Sequence, residues 1–397
     1  MSNAGNLLLD LSEITPSGRK QKRPKLGRYE GVKKKLAGDG DPAKAFVDFE
    51  PPKRPKDGFQ FIDLFCGAGG ITCGLVQAGY EPLAAVEVIE ISCDTHERNF
   101  PHCQLHRGAI ENFSPRAVLG GEEATRLDLV IGGPPCQGFS VAGQRNPEDE
   151  RNHLFREFIR VVSEARPAFV VMENVPGIIT LAGGAFFRAI LEAYREIGYT
   201  VSVAVLESAE YGVPQFRPRA IFIANRLGWK NPFPKPQLEP GHYAPIESAL
   251  GGLPADRPVP EINHEWTRHS KDMEARLAQV PPGGSLYETF FDAWKRQYPG
   301  LPSMTIKENH GGTHIHPHLN RVLSAREMAR LQTFPDKFIF CGTMKKAMWQ
   351  IGNAVPPRLA EVIGKALLPS LRAARDGKGD PWEAAGEWRL METPAAR

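Results

Sequence analysis

Short apolar runs alternate with amphipathic segments along the chain from residue 58 onward. Five of the runs are rich in Val, Ile and Phe, as buried strands are, namely FQFIDLF, PLAAVEV, LDLVIGG, AFVVMEN and TVSVAVLES. Segments with helical periodicity lie between several of them, for example RNHLFREFIRVVSEA and GAFFRAILEAYREIG. This alternation of strands with helices predicts an α/β fold built on a doubly wound sheet.

Two regions depart from this alternation. Residues 1–57 carry many Lys and Arg and few apolar residues, so we expect a basic, disordered tail that is either a solvated arm or a contact for phosphates. Pro and Gly crowd residues 226–319, which predicts a second, smaller domain after a first domain of residues 58–225. Helical patterns in residues 320–375 are expected to rejoin the first domain, and residues 376–397 to form a tail.

Composition narrows the classes of protein that remain. The 397 residues are 41% hydrophobic, which is enough for a sizeable core. The chain has neither a long apolar run nor a secretory signal pattern, so we expect a cytoplasmic protein with no membrane partner. Six cysteines without a CxxC pair argue against a metal site. The net charge of +3 permits a nucleic-acid partner without requiring one.

A glycine-rich turn follows the first apolar run. In FIDLFCGAGG, residues 61–70, Gly67, Gly69 and Gly70 let the backbone approach a ligand at the start of a helix. Glu87 ends the second run about 20 residues later, where a carboxylate can accept hydrogen bonds from ribose hydroxyls. The spacing is GxGG rather than GxGxxG, so an ordinary strand–helix turn is the alternative to the nucleoside-containing cofactor that we favour.

One cysteine has an unusual setting. Cys136 lies in GGPPCQGFS, residues 132–140, a stiff Gly/Pro loop at the end of a predicted buried strand. Ligands of α/β proteins bind at such strand ends, so Cys136 is a candidate nucleophile whose thiolate would need a lowered pKa. A lone cysteine is more often a buried apolar side chain, and the residues alone leave that interpretation open.

Three further motifs place polar side chains at the ends of predicted elements. Glu173 in VVMENVPG is a candidate acid or hydrogen-bond partner, or else a helix cap. Arg217 and Arg219 in QFRPR would point to one face of a strand and suit phosphate or a polar base edge, unless they are surface charges. Asn353 in QIGNAVPP is a polar amide in a rigid loop, or part of a plain helix entry.

In chain order, these blocks resemble the DNA cytosine-5 methyltransferase family. The resemblance covers roughly residues 58–375 and rests on DLFCGAGG, AVEV, GGPPCQGFS, RNHLF, ENVPG, QFRPR, SAREMARLQTFPD and QIGNAVPP. It implies a Rossmann-like S-adenosylmethionine-dependent methyltransferase fold with a smaller target-recognition domain. It also implies methyl transfer to carbon 5 of a cytosine flipped out of duplex DNA, with S-adenosylhomocysteine as product.

The family's functional residues carry over position by position. The implied cofactor contacts are Phe65, Gly67, Gly69, Gly70, Glu87, Ile110, Pro134, Leu154, Asn353 and Val355. Cys136 matches the nucleophile, and Glu173 matches the acid that holds the base. Arg217 and Arg219 match a catalytic pair near the target cytosine. The implied DNA contacts are Gln137, Ser140, Thr305, Asn309, His310 and Gly311, and no metal is implied.

One block departs from the family pattern. After the third strand the family usually has Gly-Asp-Ile, whose Asp accepts a hydrogen bond from the adenine amine of the cofactor. This chain has Gly108, Ala109 and Ile110 there, so we expect that contact to be missing or supplied from elsewhere. Ile89 stands where an acidic residue is common and would add apolar packing on the adenine.

Two other functions remain open alongside DNA methylation. An RNA (tRNA) cytosine-5 methyltransferase of the same fold is the nearest alternative, although QGFSVAG after Pro-Pro-Cys favours DNA. A DNA-binding regulator with weakened catalysis is the other, because Ala109 interrupts the cofactor pattern. For the enzyme we expect a monomer that acts on double-stranded DNA, either beside a cognate restriction endonuclease or as a solitary methyltransferase.

Overall fold

A computed structural model describes residues 58–120, 127–135, 153–287, 294–307 and 314–377, together with the backbone of residues 389 and 390. Several predictions fall outside these ranges. They concern the N-terminal tail, most of the C-terminal tail, Cys136, Gln137, Ser140, Asn309, His310 and Gly311.

Strands and helices alternate through the first part of the described chain, as the apolar pattern predicts. The strands are β1 (Phe59–Leu64), β2 (Tyr80–Glu87), β3 (Gln104–Arg107), β4 (Leu129–Gly132), β5 (Phe169–Asn174), β6 (Thr200–Glu207), β7 (Pro218–Asn225), β8 (Lys295–Arg296), β9 (His314–Ile315) and β10 (Arg389–Leu390). The helices are α1 (Gly70–Gln77), α2 (Glu90–Asn99), α3 (Pro115–Leu119), α4 (His153–Ala165), α5 (Ala185–Glu196), α6 (Glu247–Leu250), α7 (Lys271–Ala278), α8 (Ala325–Leu331), α9 (Met344–Asn353) and α10 (Pro357–Arg375). Each of the five predicted apolar runs forms a strand of the sheet.

The main sheet has eight strands in the order β10-β6-β7-β5-β4-β1-β2-β3. Strands β3, β2, β1, β4 and β5 are parallel to one another, whereas β7 is antiparallel to both β5 and β6. The chain order reverses between β1 and β4, and ligands of open α/β sheets bind at the carboxyl ends of the strands beside such a reversal. The α/β fold class is therefore confirmed, with one antiparallel strand.

Apolar side chains cover both faces of the sheet. On one face, alternate residues of β1, β4, β5 and β7 pack against α4 and α5, and Phe158 and Phe187 are fully buried there. On the other face, Phe61, Phe169 and Ile223 pack with α1 and α10. Burial on both faces explains why the strands read as nearly continuous apolar runs rather than as alternating ones.

Helix α10 returns to the sheet and packs closely against α1. An added Cβ atom at Gly74 would lie 2.1 Å from the carbonyl oxygen of Pro357, so only glycine permits this approach. The Tyr80 hydroxyl donates a hydrogen bond to the carbonyl of Gly364 at 2.8 Å, which ties α10 to β2 as well. Residues 357–375 thus pack on the sheet, and the exact domain boundaries remain a prediction.

Between β7 and α8 the chain is mostly irregular and has little apolar core of its own. Among its described residues, Leu277, Val280 and Ile315 form a small buried apolar cluster. Other buried apolar residues of the region, such as Ile246 and Ile306, pack into the core that includes α8 and α9. The central side chain of the region is Arg296, which is 5% exposed. The guanidinium donates to four backbone carbonyls and one side-chain amide, those of Leu277, Val280, His316, Leu319 and Asn320, at 2.7–3.1 Å.

We predict that Arg296→Met loosens this region without disturbing the sheet. Loss of the guanidinium leaves buried carbonyls unpaired, at a cost of about 1–3 kcal/mol each. Amide hydrogen exchange in residues 271–287, 294–307 and 314–321 should accelerate by at least about tenfold, while the amides of β1 and β4 keep their protection. Arg257→Met, at an exposed arginine of the same region, is the control. Equal protection in both variants would show that Arg296 is not what holds the region together.

Candidate active site

The loop after β1 adopts left-handed backbone conformations. Phe65, Gly67 and Gly69 have φ angles of 58°, 55° and 97°. A Cβ atom at Gly67 would meet only open space, whereas one at Gly69 would lie 2.6 Å from the ring of Phe100. The loop therefore exposes bare backbone at Gly67 and packs tightly at Gly69, as a backbone that must approach a ligand requires.

Glu87 ties this loop to the end of β2. Its Oε2 accepts a hydrogen bond from the Gly67 amide at 2.8 Å. Its Oε1 accepts from the amides of Val88 and Ile89 at 2.9 and 2.8 Å. Three backbone donors thus fix the orientation of a carboxylate that is 9% exposed, and its remaining lone pairs can accept from a ligand.

Exposed apolar side chains surround the same strand ends. Among the residues that the structure describes, the large apolar side chains that are exposed are Val88 (60%), Ile89 (42%) and Val175 (48%). Val88 and Ile89 follow β2, and Val175 follows β5. Apolar side chains gathered at the carboxyl edge of a sheet are suited to covering the flat faces of a ligand.

The loop between α9 and α10 approaches the start of α1. A Cβ atom at Gly70 would lie 2.4 Å from the carbonyl oxygen of Val355, so glycine is required where the two segments meet. Val355 is half-buried against the α1–α10 core, and Asn353 is exposed. We call the loop of residues 65–69, Glu87 and residues 353–355 the cradle.

The other predicted cofactor residues lie on neighbouring elements. Ile110 is buried, and its carbonyl accepts from Arg160 of α4 at 2.9 Å. Leu154, in the first turn of α4, packs against the same apolar core. At Ala109 the carbonyl lies 3.3 Å from Nε2 of His106, and the nearby carboxylate of Glu111 pairs with His153 at 2.8 Å.

Glu173 and Arg219 form an ion pair across β5 and β7. Nε of Arg219 lies 2.7 Å from Oε1 of Glu173, and the two side chains are 11% and 13% exposed. The antiparallel pairing of β5 with β7 puts Glu173 opposite Ile221, so Arg219 is its diagonal neighbour, although 46 positions separate them in the sequence. Burial strengthens such a pair because water screens it less.

The chain that leaves β4 passes directly against Glu173. A Cβ atom at Gly133 would lie 3.0 Å from Oε2 of Glu173, so a larger residue there would press on the carboxylate. Asn174 donates from Nδ2 to the carbonyl of buried Pro134 at 3.0 Å. These contacts position the segment that ends at Pro135, the last described residue before Cys136. The role of Asn174 was missed from sequence, although it stands next to Glu173.

Arg217 differs sharply from Arg219 in its surroundings. It is 3% exposed, and its guanidinium donates to the carbonyls of Ile306, Gly352 and Ala354 at 2.7–3.0 Å. Burial, with the nearby charge of Arg219, lowers the pKa of Arg217. Its contacts are thus with backbone from two distant segments, and its catalytic role stays a prediction.

Of the predicted DNA contacts, Thr305 lies within the described residues. It is half-buried, and its hydroxyl donates to the carbonyl of Phe216 at 2.6 Å. This contact places Thr305 next to the segment that carries Arg217 and Arg219.

A buried polar network lies beneath the cradle. The Thr72 hydroxyl donates to Oδ2 of Asp63 at 2.7 Å and lies 3.2 Å from Nε2 of His96. All three side chains are fully buried, and within the described structure Oδ1 of Asp63 and Nδ1 of His96 have no hydrogen-bond partner. Burial raises the pKa of Asp63 to about 7 and lowers that of His96 to about 4. The only sequence signal for this network is the acidic residue inside FIDLF.

A family model for C-5 cytosine-specific DNA methylases matches residues 59–368, more than three quarters of the chain. The chain belongs to this family. Residues 59–368 contain the cradle, the Glu173–Arg219 pair and every described residue of the predicted site.

Curated relatives agree with this membership. The Type II methyltransferase M1.HphI of Haemophilus parahaemolyticus is 39% identical over 325 residues, covering 78% of this chain and 86% of the relative. The Type II methyltransferase M.XorII of Xanthomonas oryzae is 32% identical and covers 78% of this chain and 85% of its own length.

Solved structures share the fold. A prophage-encoded E. coli protein assigned as a DNA modification methyltransferase superposes with a TM-score of 0.67 at 29% identity, over 79% of this chain and all of that one. The DNMT2 protein of Spodoptera frugiperda superposes with a TM-score of 0.56 at 19% identity, over 79% of this chain and all of that one. At that lower identity the second likeness shows the fold alone.

S-adenosylmethionine is the methyl donor of this family, and the cradle of this member fits it. Glu87 offers a fixed carboxylate for sugar hydroxyls, and the open space at Gly67 admits a ligand against bare backbone. The exposed Val88 and Ile89 can cover an aromatic base.

The described ranges also bear on metal binding and on membrane insertion. No group of three or more His, Cys, Asp or Glu that could bind a metal occurs in the described ranges. In the same ranges, no helix is long and apolar enough to cross a membrane.

We predict that deprotonation of Asp63 lowers the free energy of unfolding as the pH rises. Because its folded pKa is raised from 3.8 to about 7, the folded state holds this proton more tightly than the unfolded state does. Its stabilising effect is complete below about pH 4 and is lost as pH rises through about 7, a change of a few kcal/mol at most. Urea unfolding at several pH values should show the stability of wild type relative to Asp63→Asn declining over this window.

Asp94→Asn, at an exposed carboxylate on α2, serves as the control and should follow wild type throughout. Parallel stability curves for wild type and Asp63→Asn would show that the buried carboxyl does not titrate in this range.

Proposed function

We propose that this protein transfers the methyl group of S-adenosylmethionine to carbon 5 of a target cytosine in duplex DNA, through a covalent adduct with Cys136. Its family acts on cytosine carbon 5 of DNA. One observation supports the mechanism most directly: the Glu173–Arg219 pair lies against Gly133, three residues before Cys136, at the sheet edge that carries the cradle.

The chemistry explains why these groups are needed together. Carbon 5 of cytosine is a poor nucleophile, and addition of a thiolate to carbon 6 converts the ring into an enamine. Cys136 supplies the thiolate, and its sulfur–carbon bond forms as electrons move toward N3. Glu173 binds N3 and the exocyclic amine, and Arg219 steadies the ring. After transfer, loss of the carbon 5 proton expels the Cys136 sulfur and restores the aromatic ring.

The cofactor supplies an electrophilic methyl group on a sulfonium. Glu87 accepts hydrogen bonds from the ribose hydroxyls, and Val88 and Ile89 exclude water from the adenine faces. The backbone at Gly67 approaches the ligand closely. With alanine at position 109, the adenine amine has no carboxylate from that residue, so this member binds the base mainly through apolar contact.

Arg217 takes a supporting part in this scheme. Its three carbonyl contacts engage both terminal nitrogens of the guanidinium, so we propose that it holds the walls of the site together while Arg219 meets the base. The target base must leave the duplex stack to reach Glu173, at a cost of a few kcal/mol. Thr305, Asn309, His310, Gly311, Gln137 and Ser140 are the proposed DNA contacts.

Relatives named Type II methyltransferases support a proposal for the biological setting. We propose a modification role in a restriction-modification system, with a cognate restriction endonuclease as partner and the cytoplasmic nucleoid as location. Methylation of tRNA is the alternative that a substrate comparison distinguishes.

We predict that Cys136→Ser abolishes methyl transfer while DNA binding persists. A hydroxyl is far less nucleophilic than a thiolate near neutral pH, so the rate should fall at least about a thousandfold. The measurement is incorporation of labelled methyl from S-adenosylmethionine into duplex DNA and, separately, into tRNA. Glu173→Gln should lower the rate by about a hundredfold or more through loss of the acid at N3.

Cys341→Ser, at a half-buried cysteine remote from Glu173 in the sequence, is the matched control and should retain the rate. Normal transfer by Cys136→Ser would exclude the covalent mechanism, and transfer to tRNA in preference to DNA would support the alternative substrate. Bisulfite sequencing of DNA from cells that express the protein then identifies the target site.

A further inference from the structure

A second carboxylate lies close to the Glu173–Arg219 pair. Glu207 is the last residue of β6, which pairs with β7 so that Glu207 is opposite Pro218 and Leu206 is opposite Arg219. Burial raises the pKa of Glu207 to about 7, and Arg219 of β7 opposes that shift while Glu210 of the next turn reinforces it. No step of the proposed mechanism uses this carboxyl group.

Glu207 and its neighbour hold the backbone of Arg217 from both sides. Oε1 of Glu207 accepts from the Arg217 amide at 2.6 Å and from the Ala209 amide at 3.4 Å. Ser208 donates from its hydroxyl to the Arg217 carbonyl at 2.7 Å and from its backbone amide at 3.3 Å. Both the N–H and the C=O of Arg217 are thus bound by consecutive residues of one turn. We call this set of contacts the Glu207 clamp.

The clamp holds the backbone of Arg217, two residues before Arg219, which pairs with Glu173. Arg219 donates from Nη1 to the carbonyl of Pro218 at 2.8 Å, and its Nε lies 2.7 Å from Oε1 of Glu173 as an ion pair. Its guanidinium is therefore positioned partly by the path of residues 217–218. A small rotation of that path would move the Arg219 head group away from Glu173, because the side chain is long and anchored at a single point in the backbone.

We propose that Glu207 is a positioning residue of the methyl-transfer site, which acts on Arg219 through the backbone of Arg217. The proposal rests on the proposed function for its effect on rate, but its structural part stands on the clamp alone. A helix cap for residues 208–211 would need only the Ala209 contact, which is the longer of the two. The shorter contact goes to Arg217, toward the site.

The first test separates geometry from charge. Glu207→Ala removes the acceptor, whereas Glu207→Gln keeps an oxygen that can accept both amides. We expect the single-turnover methylation rate of Glu207→Ala to fall about 10- to 100-fold, since misplacement of a catalytic group by about 1 Å has an effect of this size. Affinities for duplex DNA and for S-adenosylmethionine should change less than about threefold. Glu207→Gln should restore the rate to within about threefold of wild type.

The matched control is Glu210→Ala, which removes a half-buried carboxylate from the same turn and leaves the clamp intact. It should match wild type in rate. Ser208→Ala removes the hydroxyl that holds the Arg217 carbonyl and keeps Glu207, so it gives a milder loss and remains informative where Glu207→Ala folds poorly.

The second test needs no enzymatic activity. In ¹H–¹⁵N spectra, the Nε–H signal of Arg219, assigned by its disappearance in Arg219→Lys, should be protected from exchange with water, because the nearly buried side chain lies against Glu173. Glu207→Ala should lose that protection, and Glu207→Gln should keep it. This signal tests the positioning of Arg219 independently of methyl transfer. If wild type transfers no methyl group to DNA, the proposed function is overturned, and the Arg219 signal still decides whether Glu207 positions Arg219.

Two outcomes would overturn the positioning role. One is an unchanged rate and an unchanged Arg219 signal in Glu207→Ala. The other is a loss in Glu207→Gln as large as that in Glu207→Ala, which would mean that the charge of Glu207 matters and its geometry does not.

Discussion

The contact between a buried guanidinium and backbone carbonyls is the interaction on which the functional half of this molecule depends. Arg217 shows it most clearly, since its two terminal nitrogens join two segments that lie far apart in the sequence, at residue 306 and at residues 352–354. The first belongs to the irregular region, and the second ends α9 at the edge of the cradle. One side chain thereby connects the segment that leads into β7, the cradle and the irregular region.

The same interaction recurs wherever regular structure is scarce. Arg326 is fully buried and donates to the carbonyls of Ile262, Pro335 and Phe338, and burial lowers its pKa only to about 10, so it stays charged. Arg330 binds Asp336 and the carbonyl of Gly251. Irregular backbone has carbonyls that no ladder or helix satisfies, and each of them is costly to bury unpaired. An arginine offers five donors in a rigid plane and can satisfy several carbonyls at once.

This explains what could be predicted from the sequence. The strands were predictable because burial on both faces produces apolar runs that are visible locally, as in AFVVMEN. Glu173 and Arg219 were predictable as separate candidates, since each ends or begins such a run. Their contact comes from the antiparallel pairing of β5 with β7, which no local pattern encodes. The different environments of Arg217 and Arg219 were also invisible, because two arginines in QFRPR look equivalent until the partners of each are known. Asp63, Asn174 and Glu207 were missed for the same reason: their importance lies in which distant backbone groups they meet.

The tie from Arg217 to residue 306 also bears on how such a protein can change over evolution. The atom that Arg217 grips there is a carbonyl oxygen of the main chain, and every amino acid carries one. This contact by itself sets no requirement on the side chains on either side of that point, provided that the chain still passes the same place. New surfaces for recognising other partners can therefore be tried in this region while the machinery for chemistry keeps its anchor.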